Sequence, residues 1–407
     1  MGSLPLDGVR VLELGNYIAA PTAGRLLADF GAEVIKVERP GSGDEIRRWR
    51  LYDGDTSMLY RTINRNKKSI VLDLASAPGR RAVVGLARHS DVVLENFRPG
   101  TLERWGIGPD VLTDVNPDLV VARISAFGQT GPMAHMPGFA AIAEAYGGLR
   151  ALVGEPDRPP SRVGVSIGDT LAGIYAAFGV VMTLFDRGRR PHAAPSPAID
   201  VALNEAVLSV TESLIPDYDA FGVVRQRTGA RLEGIAPSSA YVCADGTSVV
   251  IAGNGDAIFR RLMDVIGRHD LSADPELSDN AGRWRRRDDL DEAIGQWVGA
   301  TTSADALDRL QQAGVPSGPI YTAADLANDE QLRARGMIQY FDVATGAGTI
   351  RDVGFPGVVP VLDAVSVPIR SIGPNLGEHT DDVLSGLLGM SEEDIAAAVG
   401  DRGQGSA

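Results

Sequence analysis

One carboxylate stands apart in the stretch VSIGDTLAG, residues 165–173: Asp169, set between Gly168 and Thr170 and followed by a long apolar run. An aspartate of ordinary pKa, about 3.9, is already ionised at neutral pH, so it can attack an activated carbonyl without a general base. The same residue at the head of a helix is an N-cap, a structural task. The two roles are compatible, because free N–H groups and the helix dipole hold a carboxylate in place. The pattern predicts a helix over 169–188 with Asp169 as its N-cap.

Other chemistries find less support. There is no G-x-x-x-x-G-K-[ST] loop for a nucleoside triphosphate and no G-x-S-x-G nucleophile elbow. The five histidines, His89, His135, His192, His269 and His379, lack ligand spacing, so no metal site is expected. Cys243, the single cysteine, lies in the strand-like run AYVCADGTSVV and reads as a buried structural thiol. A net charge of −14 over 407 residues argues against nucleic-acid binding. Local charge differs: Arg47, Arg48, Arg50, Arg61, Arg65, Lys67 and Lys68 crowd one segment. They read either as a solvated basic face or as a binding surface for an anionic small molecule. No apolar signal segment opens the sequence, so a cytoplasmic protein that makes no use of a membrane is expected.

The elements that must position these groups follow from periodicity. VRVLEL (9–14), a helix through PTAGRLLADFGA and EVIKVERP make a β-α-β opening. SIVLDL (69–74), a helix around GRRAVVGLARH and DVVLENF (91–97) repeat it, and DLVVARISAFG (118–128) adds a strand. Long apolar helices are predicted over 140–152 and 169–188, a turn or strand connection over 187–198, then a strand and helix. Residues 201–224 read as a linker and 225–330 as a separate α+β domain opening on a hairpin around Asp245-Gly246. Residues 1–200 and 331–407 make up the larger domain, with a C-terminal helix capped by Ser391 and Glu393. A dinucleotide site would need G-x-G-x-x-G after the first strand. Gly15–Ala20 reads G-N-Y-I-A-A instead, and Tyr17 and Ile18 would crowd a pyrophosphate.

Six segments, DFGAEVIKVERPGSGD (29–44), NRNKKSIVLDL (64–74), DVVLENFRPGTLERWGI (91–107), SAFGQTGP (125–132), VSIGDT (165–170) and LGEHT (376–380), resemble the family III CoA-transferases in order and spacing. The resemblance runs from about residue 5 to 395. It implies an α/β protein whose large Rossmann-like domain is built from both chain ends, with the smaller α+β domain inserted and two subunits interlocked as a homodimer. It makes Asp169 the nucleophile, forming a mixed anhydride with the acyl group and then an aspartyl-CoA thioester. Because the number of thioester bonds is conserved, neither ATP nor a metal is required and no cofactor stays bound; an acyl-CoA and a carboxylic acid are the substrates. For CoA it assigns Tyr17, Ile18, Ala19, Arg39, Leu72, Asn96, Phe97, Arg98, Arg104 and Arg123. For backbone donation to the tetrahedral adducts it assigns Gly234 in EGIAPSS (233–239), with Gly253-Asn254-Gly255 as a second candidate.

The related racemase branch uses a histidine after the FGQxGP turn to move an α-proton. Phe139 occupies that place here, which turns the reading away from racemase. A silent CoA-binding scaffold is the other alternative, and the retained Asp169 argues against it. Ala140 departs from the acidic residue of many transferases, and the wider texture resembles the dicarboxylate branch, the succinyl-CoA or mesaconyl-CoA transferases. A distal carboxylate would need a cation, for which Arg47, Arg61, Arg225 and Arg227 are candidates.

Overall fold

The computed structural model describes residues 4–54, 56–189, 197–362 and 367–400. The chain divides into two compact units, one made of Met1–Leu149, Val163–Glu212 and Glu330–Ala407, the other of Arg150–Arg162 and Ser213–Asp329.

The first unit is built on six strands, β1 (Arg10–Glu13), β2 (Glu33–Glu38), β3 (Lys67–Val71), β4 (Val92–Glu95), β5 (Val120–Ser125) and β6 (Ile199–Ala202). Their order across the sheet is β3-β2-β1-β4-β5-β6, and every pairing is parallel. Apolar runs suit such strands because helices cover both faces. Leu12, Ile35, Ile70, Val93 and Val121 pack on one face with Val83 and Leu86 of helix α2 (Ala77–Arg88). The C-terminal helices Thr380–Leu388 and Glu392–Val399 join the same core, so both chain ends meet on one sheet. Val11, Val34, Val92 and Val120 face the other way, against helix α1 (Ala19–Asp29) and the long helix Ile167–Arg189. The order reverses beside β1, whose neighbours are β2 and β4. A crevice at the carboxyl ends of β1 and β4 is where open parallel sheets take ligands.

Several boundaries differ from expectation. The helix predicted over 140–152 is broken into α3 (Ala140–Tyr146) and a turn of helix at Leu149–Leu152, with Gly147 and Gly148 between them. A Cβ on Gly147 would lie 2.7 Å from the Asn204 carbonyl oxygen, so close approach of another element takes this position out of a helix run. Helix α4 (Ile167–Arg189) starts two residues before Asp169, which sits in its first turn and is not the N-cap. Residues 201–224, expected as a linker, instead carry the end of β6 at the sheet edge, α5 (Leu203–Leu208) and a further helix Leu214–Phe221. Ser391 caps the last helix through the Asp394 amide, one residue beyond the expected Glu393. Of the segment 187–198, residues 190–196, including His192, lie outside the described residues.

Among the described residues α4 alone is long and apolar enough to cross a membrane by length and composition. Its small residues Gly168, Ala172, Gly173, Ala176, Ala177 and Val180 are buried inside its own unit.

The second unit holds an antiparallel sheet of β7 (Ser238–Val242), β8 (Ser248–Ala252) and β9 (Ser317–Pro319), with the expected turn at Asp245-Gly246. Phe259, Leu262, Leu290, Ile294 and Leu310 from its helices pack on Tyr241, Val249 and Ile251. Cys243 is buried in that core.

Candidate active site

At the crevice, the chain leaving β1 is pinned residue by residue. Gly15 is there because a side chain would not fit: a Cβ would stand 2.3 Å from Ala20 Cβ and 3.0 Å from Asn96 Oδ1. Asn96, just past β4, grips Asn16 twice, accepting from its N–H at 2.9 Å and donating to its carbonyl at 2.8 Å. Tyr17 adopts a left-handed backbone, φ 64°, and its N–H donates to Asp44 Oδ1 at 3.0 Å. Ile18 and Ala19 have buried side chains, so any ligand meets their main chain. Helix α1 begins with no side-chain cap and no acid in its first turn. Its leading N–H groups therefore suit an anion lying in the crevice.

Around this loop the remaining expected residues separate into distinct groups. Arg98 and Arg104 are exposed beyond the end of β4, and Arg104 is steadied by Thr101 Oγ1 at 2.9 Å. Arg39, past β2, is half exposed and pairs with Glu45 at 2.5 Å. Phe97 packs edge-on against Trp105, with ring centres 5.2 Å apart. Leu72 is buried in the sheet core, and its N–H donates to the Glu38 carbonyl, so it offers no side chain to a ligand. Arg123 donates to Glu95 at 2.6 Å and to Glu103 at 2.8 Å. Burial pushes its pKa down, but the hydrogen bonds to these two carboxylates outweigh that and raise it. Arg123 is thus a strut between β4 and the segment carrying Arg104, not a free cation at the rim.

The basic segment is the largest departure. Arg47, Arg61, Arg65 and Lys67 are buried, leaving Arg48, Arg50 and Lys68 at the surface. Arg47 makes a two-pronged contact to Glu38, both bonds 2.8 Å, and stacks over Tyr60 with its guanidinium carbon 3.7 Å from the ring centre. Burial works to raise the Glu38 pKa, but Arg47, Lys36 and Ser69 prevail and hold it at about 2. Arg61 donates to the Gly373 carbonyl and to Asn375 Oδ1, and Arg65 is bound to Asp29 at 2.7 Å. Lys67 donates to Glu13, to Asn64 and to the Pro21 carbonyl in α1; burial lowers its pKa to about 8. These groups hold the protein together from within, so neither a solvated face nor a substrate-facing role describes Arg47 and Arg61.

Asp169 is half-buried in the first turn of α4. One turn further, a Cβ on Gly173 would lie 2.7 Å from the Ala19 carbonyl oxygen. The missing side chain lets the helix that carries Asp169 come down onto the first turn of α1. The nucleophile candidate and the crevice loop are therefore held in one rigid packing. Phe139, where the racemase base would stand, is exposed, with its ring 6.1 Å from that of Tyr17, which also meets Trp49 at 5.3 Å. Sequence reasoning missed Trp49 as a neighbour of Tyr17, and also Lys36 and Asp44. A lysine inside the apolar strand EVIKVE was the available signal, since a central parallel strand is covered on both faces.

In the second unit, Gly234 adopts φ 78° in a loop fastened by Asn280, which donates to the Gly234 carbonyl and accepts from the Ala236 N–H. The buried Arg283 donates to the carbonyls of Ala236 and Asn254, so the Gly234 and Gly253–Gly255 segments are tied together. Arg225 pairs with Glu233 at 3.5 Å, and Arg227 donates to the carbonyls of Glu155 and Arg158. Among the described residues no group of three His, Cys, Asp or Glu side chains gathers in a way that could hold a metal ion.

A parallel sheet in this order, a pinned loop at its reversal point and exposed arginines past the ends of β2 and β4 define an α/β protein. The sequence profile of CoA-transferase family III matches residues 6–380, and the chain belongs to that family. It is 43% identical over 394 residues to the succinyl-CoA–D-citramalate CoA-transferase of Chloroflexus aurantiacus, covering 96% of both chains. It is 38% identical to the beta subunit of that organism's succinyl-CoA–L-malate CoA-transferase, covering 97% of this chain and 96% of the relative. Among solved structures, a CAIB/BAIF family protein from Brucella suis superposes with a TM-score of 0.82 at 32% identity, covering 95% of this chain and 100% of that one. The protein is an enzyme that transfers CoA between an acyl-CoA and a carboxylic acid.

Proposed function

We propose that this enzyme moves CoA from succinyl-CoA or a similar donor to a dicarboxylic acid, through covalent intermediates on Asp169. The observation that carries the reading is Asp169 in the first turn of α4, packed through Gly173 onto the loop at the crevice. Donors named in the two relatives are succinyl-CoA, and the acids named, citramalate and malate, are hydroxy-dicarboxylates. An Asp169 oxygen attacks the thioester carbonyl; the C–S bond breaks and CoA thiolate leaves, giving a mixed anhydride. The thiolate attacks the Asp169 carbonyl carbon, the anhydride C–O bond breaks and the donor acid departs, leaving an aspartyl-CoA thioester. An acceptor carboxylate then runs both steps in reverse. Gly234 donates its backbone N–H to the oxyanions. Arg39, Arg98 and Arg104 take the phosphates of CoA, while Tyr17, Ile18, Ala19, Asn96 and Phe97 line its path.

In this reading the small unit is an inserted domain and the enzyme works as an interlocked homodimer in the cytoplasm, away from membranes and nucleic acid. The outer face of α4 supports the dimer: Ile174, Phe178, Val181, Met182 and Phe185 recur at helical spacing and are exposed, which favours a covering surface of the same kind. No metal, ATP or resident cofactor enters, since each thioester bond broken is replaced by another. Light scattering that gave a stable monomer would sink the dimer.

The decisive experiment is intact-protein mass spectrometry after mixing with succinyl-CoA, followed by peptide mapping. A CoA-sized or acyl-sized adduct on the Asp169 peptide, absent from Asp169→Ala, is the expected result. No adduct with succinyl-CoA, formyl-CoA or acetyl-CoA would overturn the covalent route.

A further inference from the structure

The main chain of Gly15–Tyr17 is held by three successive grips, and two of them come from one buried ion pair. Lys36 Nζ is completely buried and has three N–H donors. It has three oxygen partners: Glu13 Oε1 at 3.1 Å, the Gly15 carbonyl at 2.7 Å and Asp44 Oδ2 at 2.8 Å. Asp44 is also completely buried, and its other oxygen accepts from the N–H groups of Tyr17 and Ile46. Its own N–H donates to Glu38 Oε2 at 3.0 Å, which ties it to the Arg47 network. Tyr17 is held at φ 64°, a region that side chains with a Cβ rarely adopt. That bend persists only where the surroundings over-determine it.

We propose that Asp44, fixed by Lys36, is a positioning residue for the acyl-CoA site: it holds the Gly15–Ala19 main chain bent before substrate arrives. The inference rests on the reading above that acyl-CoA occupies the β1/β4 crevice. Lys36 grips residue 15, Asn96 grips residue 16 and Asp44 grips residue 17, so the loop is preorganised. A preorganised loop pays less ordering entropy on binding, and the gain falls on the ligand that touches it. The acceptor acid gains nothing directly from it.

The test is Asp44→Asn. An amide cannot serve both neighbours: with its oxygen toward the Tyr17 N–H, its NH2 faces the Lys36 ammonium, donor against donor. The KM for succinyl-CoA should rise about tenfold, the worth of one good hydrogen bond. The KM for the acid should stay within about twofold, and kcat within about threefold, because neither depends on this grip. Lys36→Met combined with Asp44→Asn removes the opposed donors and should recover part of the loss. Merely structural damage would lower the active fraction and leave both KM values where they were, and that result overturns the proposal, as does an equal shift of both. Calorimetry with CoA alone separates the two readings. Wild-type protein that fails to bind CoA rejects the crevice assignment, whereas equal affinity of wild type and Asp44→Asn rejects the positioning role only. If Asp44→Asn does not fold, hydrogen–deuterium exchange of segment 15–19 in the wild type decides. Strong protection without CoA supports preorganisation; protection that appears only with CoA refutes it.

Discussion

Two sets of arginines, all within the first 104 residues, sit in opposite surroundings. Arg47, Arg61 and Arg65 are buried against Glu38, the Gly373 carbonyl and Asp29. Arg39, Arg98 and Arg104 stand exposed past the ends of β2 and β4. The first set binds the protein to itself; the second keeps its guanidinium groups at the surface. A planar, permanently charged guanidinium serves either purpose, so its role is decided by what lies within hydrogen-bonding distance.

The sharpest break of the comparison is Arg47→Met. It strands the Glu38 carboxylate in a buried site, and removing one partner of such a pair costs about 3–5 kcal/mol. Chemical denaturation should register that loss, whereas Arg98→Ala should stay within about 0.5 kcal/mol of wild type.

Acid separates the two sets next. Glu38 has a folded pKa of about 2, below its ordinary 4.5, so it binds fewer protons folded than unfolded in between. Its contribution is complete above pH 4.5 and drains away as pH falls toward 2. Melting temperatures followed over that window should drop in the wild type and drop less in Arg47→Met; parallel curves would contradict the assignment.

At the rim the effect moves from stability to binding. Arg98→Ala and Arg104→Ala should each raise the KM for acyl-CoA about tenfold, with unchanged melting temperature. Added salt should weaken wild-type binding of acyl-CoA and weaken it less in these variants, because exposed charges are screened. Arg39→Ala should show the smallest change, about twofold in KM. Its charge is already half engaged by Glu45, and exposed pairs are worth little, about 0–1 kcal/mol. A larger effect at Arg39 than at Arg98 would reverse the ranking of the rim residues.

Legibility followed the range of the interactions. The strands β1 to β5 could be read because a parallel strand covered on both faces must be a short apolar run, a local property. The helix of Asp169 was legible, but its start lay two residues earlier than expected, at Ile167, since helix ends are set by few bonds and weak preferences. The break at Gly147-Gly148 was visible as a pair of glycines yet read through, because what ends the helix there is the approach of residues 204–207. The pinned loop was half legible: Tyr17 and Asn96 were placed at the site from motif resemblance. The grip of Asp44 on Tyr17 and that of Asn96 on Asn16, 27 and 80 residues apart, belong to the fold.

By itself the sequence determined the family, the order of the opening β-α-β units and the carboxylate at position 169, because these rest on local patterns and on motifs in fixed order. Only the tertiary structure decided which cations were free. Arg47 meets Glu38 nine residues away, Arg65 meets Asp29 across 36, and Arg61 reaches Gly373 across 312. A charge is silenced or exposed by neighbours brought from such distances, and no local pattern encodes them.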